Sequence, residues 1–270
     1  MPSVRTDKDL PELPLDRYEF STRDSERHTE AQARMTRSCM RKLGFEDFPL
    51  HPAQPKMANS YAMVAVQMPS YPYGTLDLES ARRWGYGWDP ARSRSDAGRA
   101  EGRAVREDEQ QALYGRGGKR ASGCANSGAG RLTEGVRDRT RMYTYVPKRI
   151  QSLDKAIVKD ERVREALDTW ADCLESRGVK RYRTPDDAFG DKAWSRGNDH
   201  GGNTDRTAKE RATATADVEC KREHNTAGVW WAVREEKQRA DVARHKDAYE
   251  AVRADQNRLR ANVKRVLGER

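Results

Sequence analysis

The residues best spaced for chemistry are Cys220-Lys221-Arg222-Glu223-His224. On a helix, a thiol and an imidazole four positions apart share one face and can grip a metal ion. A metal site needs more ligands than two, and His28, His51, His200 and His245 are scattered along the chain. No CxxC pair occurs, so the usual spacing of a zinc ribbon or a dithiol redox centre is missing. No metal and no cofactor is therefore expected. Gly115-Arg116-Gly117-Gly118-Lys119-Arg120 matches a phosphate-cradling loop only in part: Leu113 stands where its first glycine belongs, and Arg120 where a Ser or Thr should follow the lysine. Gly128-Ala129-Gly130 lacks the third glycine of a dinucleotide fingerprint, Thr133 occupying that place. No GxSxG elbow is present. Asp186-Asp187 and Glu235-Glu236 read as solvated faces or helix-start charges. No catalytic residue is nominated.

The four cysteines are more informative. Cys39 is followed five positions on by Gly44 and then Phe45; Cys173 is followed in the same way by Gly178 and Val179. Each ends a helix-like stretch. Cys124 and Cys220 lie downstream, one for each. Four cysteines permit three connectivities. The expected pairs are Cys39–Cys124 and Cys173–Cys220, because each closes within its own half. Four reduced, buried thiols are the alternative, and disulfide formation would compete with a metal at Cys220 and His224.

The elements that must position these residues are mostly helical. A helix is expected over about 22–43, with Thr29 and Gln32 as a capping box inside it, Gly44 as its stop, and Met35, Cys39 and Leu43 along one face. Between 45 and 95, Pro49, Pro52, Pro55, Pro69 and Pro72 forbid long helices. Ala62–Val66 reads as a short strand, Tyr71-Pro72-Tyr73-Gly74 as a turn, and 76–84 as a short helix. The Gly85–Pro90 aromatic cluster is a core plug or a ligand platform. A helix near 104–114 precedes a Gly-rich loop over 115–130 tied down by Cys124. Asp160 caps a helix reaching about 177, with Val163, Leu167, Trp170 and Leu174 on one face. A polar loop covers 183–205. A long helix or helical pair fills 206–267, Gly228 marking a kink or close contact. Its stripe of Val242, His245, Tyr249, Val252, Gln256, Leu259, Val263 and Val266 suits an antiparallel hairpin or a coiled-coil dimer. Trp230 and Trp231 either staple this helix to the domain or form a partner-binding hot spot.

Composition sets the scale. Leu, Ile, Val and Phe together are 36 of 270 residues, so the core is thin; six Trp and ten Tyr add apolar area that the aliphatic count misses. The net charge of +9 mixes 52 basic with 43 acidic residues. The interspersed signs argue against specific nucleic-acid binding, while an anionic wall or membrane surface needs only a diffuse field. No apolar run reaches the roughly 18–20 residues that span a bilayer. The opening Met1-Pro2-Ser3-Val4-Arg5 has no signal-peptide character, and with four cysteines it suggests a mature, exported form.

These features resemble uncharacterised exported proteins and lipoproteins of actinobacteria, helical proteins in which Cys-x4-Gly precedes an apolar residue. Here those motifs are Cys39 to Gly44-Phe45 and Cys173 to Gly178-Val179, with a late segment from Ala216-Asp217-Val218-Glu219-Cys220-Lys221 into Val229-Trp230-Trp231-Ala232-Val233. The resemblance implies export, a disulfide framework and a lipid anchor on a cysteine upstream of this chain; it implies no activity. The expected architecture is mainly α, a helical bundle or hairpin with long irregular loops stapled by two disulfides. It divides into a flexible arm (1–20), an irregular helical half (21–150) and a helical half with the long C-terminal helix (151–270). The expected role is non-catalytic: binding a partner protein or cell-envelope component, with Trp230 and Trp231 in the contact surface. An envelope hydrolase using carboxylates and an oligomeric coiled-coil component are the alternatives.

Overall fold

A computed structural model describes residues 1–52, 76–87, 102–115, 123–194 and 206–269. The described residues form α-helices joined by turns and irregular segments. In chain order the helices are α1 (Thr22–Lys42), α2 (Leu78–Trp84), α3 (Glu107–Tyr114), α4 (Cys124–Leu132), α5 (Arg139–Ile157), α6 (Glu161–Ser176), α7 (Pro185–Phe189), α8 (Ala208–Glu223), α9 (Thr226–Arg244) and α10 (Lys246–Leu267). Both expected disulfides are present, with Cα atoms 5.5 Å apart for Cys39–Cys124 and 5.8 Å for Cys173–Cys220. The strand expected at Ala62–Val66, the turn at Tyr71–Gly74 and Trp88 lie outside the described residues.

The repeated Cys-x4-Gly pattern has a local physical cause. At the end of α1, Gly44 N–H donates to the Arg41 carbonyl and Phe45 N–H to the Met40 carbonyl, both at 3.1 Å. At the end of α6, Gly178 N–H donates to the Glu175 carbonyl at 2.9 Å and Val179 N–H to the Leu174 carbonyl at 3.0 Å. Both are Schellman stops, in which the residue after the helix takes a left-handed conformation that glycine adopts without strain. Gly44 and Gly178 have φ of +93° and +74°. The apolar residue that follows packs back on the last turn: Phe45 shares a core with Met40, and Val179 with Leu174. A cysteine five positions before the glycine thus sits on the last turn of a firmly ended helix.

The chain forms two compact units, and they interleave rather than following the serial halves expected. The first takes Met1–Pro14, Lys56–Ala97 and Gln151–Ala240; the second takes Leu15–Pro55, Gly98–Ile150 and Asp241–Arg270. The 1–20 segment is not a free arm. Val4 and Leu13 fill the first unit's core. In the second, Tyr18 is buried against the Tyr249 ring, with centroids 4.9 Å apart. Enough apolar residues punctuate this stretch to outweigh its polar composition.

In the first unit, α2, α6 and α8 enclose Trp170, Leu174, Tyr182, Trp194 and Val218. Tyr86 packs edge-on against Phe189 at 6.0 Å, so the described part of the Gly85–Pro90 cluster plugs the core. The expected face of α6 is buried at Val163, Leu167, Trp170 and Leu174, and Asp160 caps the helix by accepting from Arg162 N–H. The loop expected over 183–205 contains α7 and a 3-10 turn that buries Trp194. Gly228 does mark a close contact, but with the Pro2 carbonyl rather than another helix. Asn225, at φ +50°, donates to Pro2 O and accepts from Val4 N, each at 2.9 Å.

In the second unit, α1 packs on α4, α3 and α10. Its cap is Ser21 with Asp24, a complete capping box, rather than Thr29, whose hydroxyl donates to the Ser25 carbonyl within the helix. Leu43, expected inward, is 58% exposed, because the chain turns there and Met40 supplies the buried contact. The loop expected over 115–130 becomes helical from Cys124; a side chain at Gly128 would press on Met35 of α1, so glycine permits that approach. The long helix or helical pair expected over 206–267 is three helices, broken at Asn225 and at His245 (φ −119°, ψ 30°). On α10, Tyr249, Val252, Gln256, Leu259 and Val263 are all buried, and Leu259 and Val263 share the second unit's core with Ala31 of α1 and Leu132 of α4. The apolar stripe thus packs on α1 and α4 in the second unit's core rather than in an antiparallel hairpin against residues 206–240.

Candidate functional site

The strongest candidate is the outer face of α1. Arg34, Arg37, Ser38 and Arg41 recur at spacings of three and four, so they share one helix face, and Lys42 adjoins it. With Leu50 they line an open depression of about 660 Å³. The face is held from behind. Cys39 is bonded to Cys124, and Met40, Phe48, Leu113 and Cys124 form the core beneath it. Two loop carbonyls orient the cations: Arg37 Nε donates to Phe48 O at 3.1 Å, and Arg41 Nε to Glu46 O at 3.0 Å. Arg34 pairs with Glu30 at 2.7 Å. Among the described residues no carboxylate pairs with Arg37, Arg41 or Lys42. Guanidinium groups fixed at their stems present forked donors that suit the oxygens of phosphates and carboxylates. The signal was present in the sequence: no Asp or Glu occurs between Glu30 and Glu46, although the chain as a whole mixes its charges.

A second cluster is buried in the first unit. Lys221 Nζ lies 2.8 Å from Asp217 Oδ2, and Trp170 Nε1 donates to Asp217 Oδ1 at 2.9 Å. Lys221 is 0% and Asp217 2% exposed. Burial pushes the Asp217 carboxyl up and the Lys221 ammonium down, while their attraction opposes both shifts. Asp7 and Asp186 also bear on Lys221 electrostatically, and burial raises both carboxyls; Asp77 adds to the shift at Asp7 and Asp187 to that at Asp186.

The remaining sequence candidates are placed as follows. Trp230 and Trp231 are 2% and 7% exposed, packed among Val4, Leu13, Ile157 and Val163, with the Arg234 guanidinium over the Trp231 ring at 5.1 Å. They staple α9 to the first unit, and the partner-binding reading lacks the exposed indole surface it requires. Cys220, half of the sequence's thiol–imidazole pair, is held in its disulfide.

No family model, no curated protein and no solved structure matches the chain.

Proposed function

We propose that this chain is an exported or cell-envelope-associated protein that catalyses nothing and binds an anionic envelope surface through the basic face of α1. Its two disulfides suit a non-reducing compartment. The observation that carries the binding role is the depression lined by Arg34, Arg37, Arg41 and Lys42, three of which have no carboxylate partner among the described residues. Such a face needs only the diffuse negative field of acidic lipids or wall polymers. Export and a lipid anchor, which the resemblance to actinobacterial lipoproteins implies, would bring that face to the surface it binds. The test is co-sedimentation of the full chain with vesicles of phosphatidylglycerol or of phosphatidylcholine. Binding should be confined to the anionic vesicles and weaken with salt. Each basic contact near an anionic membrane contributes about 1 kcal/mol, so Arg37→Gln/Arg41→Gln should lower affinity about 30-fold. Equal binding to both vesicles, or no loss in the variant, refutes the proposal.

A second reading, an envelope hydrolase, draws on the raised carboxyls of Asp7 and Asp186 around Lys221. It predicts that Asp186→Asn abolishes release of soluble fragments from purified cell wall and leaves vesicle binding intact. The α1 face carries the first reading because it is open to solvent, whereas Lys221 and Asp217 are enclosed.

A further inference from the structure

The Cys173–Cys220 disulfide has two further metal-ligand side chains beside it. Cys220 and Glu223 lie on the last turn of α8, and His224 caps that helix. Cys173 comes from the last turn of α6. Cys173 Sγ, a Glu223 carboxylate oxygen and a His224 ring nitrogen all lie within 4.8 Å of one another, and Cys220 Sγ is bonded to the first. Ligands around one tetrahedral zinc ion stand about 3.3–3.8 Å apart, given metal–ligand bonds of about 2.0–2.3 Å. Small side-chain rotations would bring the four together. The cluster is also graded from inside to outside. Cys220 is 0% and Cys173 8% exposed, while the His224 and Glu223 side chains are 31% and 55% exposed. The sulfurs line the protein side and an ion can enter from solvent.

We propose that Cys173, Cys220, Glu223 and His224 form a Zn²⁺ site that exists only when the disulfide is reduced. The reductant is a dithiol. Its thiolate attacks Cys173 Sγ, the more exposed sulfur, and the Cys173–Cys220 bond breaks with its electron pair going to Cys220. The reductant's second thiolate then attacks the mixed disulfide and releases Cys173. Two electrons have passed to the protein, the reductant departs as its own disulfide, and both cysteines are left as thiols. Zn²⁺ displaces their two protons to solvent and takes Glu223 and His224 as its remaining ligands. A disulfide oxidant reverses the sequence and expels the ion. In the oxidised chain neither sulfur is a thiolate. Glu223 is then held by Arg177, its Oε2 2.7 Å from Arg177 Nη2, so two weak ligands remain. This inference is independent of the vesicle-binding role, which belongs to the other unit.

The test uses the full chain, oxidised or reduced with a phosphine, titrated with Co²⁺ and then Zn²⁺. The reduced chain should take one equivalent, show a thiolate-to-cobalt charge-transfer band, and lose it to Zn²⁺; the oxidised chain should show no band. Cys39→Ser/Cys124→Ser should keep the site, and Cys173→Ser/Cys220→Ser should lose it. His224→Ala and Glu223→Ala should leave the oxidised fold intact by far-ultraviolet circular dichroism, because both side chains are partly exposed, so they remain readable if the cysteine variants do not fold. Each should weaken metal binding by at least the roughly 10–100-fold that loss of a supporting group costs. The proposal is overturned if reduced wild type shows no thiolate band, if the oxidised chain binds equally well, or if His224→Ala and Glu223→Ala bind as wild type does.

Discussion

In the first unit a lysine ammonium is wholly buried, with Asp217 2.8 Å away on the preceding turn of the same helix. In the second unit two buried carboxylates are answered by arginines that keep part of their guanidinium in water, and a third, Asp255, accepts from the backbone N–H groups of Arg137 and Asp138. Glu109 is 0% exposed, and its partner Arg103, at 2.6 Å, is 32% exposed. Asp241 is 5% exposed, with Arg149 at 30%. Hydrogen bonds from Arg103 hold the Glu109 carboxyl below the ordinary carboxylate range. Burial works against ionising Asp241, but Arg149 and the Tyr249 hydroxyl at 2.6 Å overcome it and hold that carboxyl low. A compact ammonium loses its strong hydration when enclosed, whereas a guanidinium is more weakly hydrated and can bridge a buried carboxylate to the surface. The first unit thus encloses whole ion pairs, Lys221–Asp217 and Arg206–Glu210, whereas in the second the arginines that answer Glu109 and Asp241 keep part of their charge at the rim.

Lys221→Met should break this contrast most sharply. It leaves Asp217 buried without its cation and should cost about 3–5 kcal/mol, most of it recovered in Lys221→Met/Asp217→Leu. Arg149→Met should cost less, about 1–3 kcal/mol, because Tyr249 still donates to Asp241. All six Trp fall in the first unit's segments, so Trp fluorescence during denaturation reports that unit while circular dichroism reports both. Equal losses for the two variants would remove the distinction.

The disulfides offer the next comparison. Removing either should cost about 2–4 kcal/mol. The sequence separations are 85 for Cys39–Cys124 and 47 for Cys173–Cys220. Loop-closure entropy then makes the second unit's bridge the more valuable by about 0.5 kcal/mol. Thermal unfolding of Cys39→Ser/Cys124→Ser and Cys173→Ser/Cys220→Ser, followed by both probes, would show whether each loss stays within its unit.

Helix caps give the smallest effect. Asp160→Ala in the first unit and Ser21→Ala in the second should each cost about 1 kcal/mol. Only the first removes a titrating cap. Arg162, with help from Lys237, holds the Asp160 carboxyl well below its ordinary value. A depressed carboxyl stabilises the fold above its unfolded pKa of about 3.9 and loses that contribution as pH falls toward its folded value. The stability difference between wild type and Asp160→Ala should therefore be constant at neutral pH and shrink below about pH 4. A difference that grew on acidification would contradict the ion-paired cap.

Much of this organisation is written in local sequence. The Asp160 cap, the stops at Gly44 and Gly178, and the buried face of α6 all follow from interactions within a few residues. Other elements were hidden by competing local signals. Pro147 lies inside α5, and proline ordinarily ends a helix. The glycines of α4 read as a loop, although one of them admits α1 at close range. Thr29 was a plausible cap whose hydroxyl turned back on its own helix, while Ser21 marked the true start. The cationic face of α1 was legible as an acid-free run, but whole-chain averaging of charge obscured it.

The sequence by itself determined the helical class and the helix stops, because capping and periodicity act over short range; of the three connectivities that four cysteines permit, it only favoured the pairs that formed. Tertiary structure alone decided the interleaved partition and the burial of Trp230, Trp231 and Lys221. It also decided that Cys173 meets Glu223 and His224 across two helix ends. Those outcomes depend on which faces pack together, and packing joins residues whose separation along the chain carries no record of their distance in space.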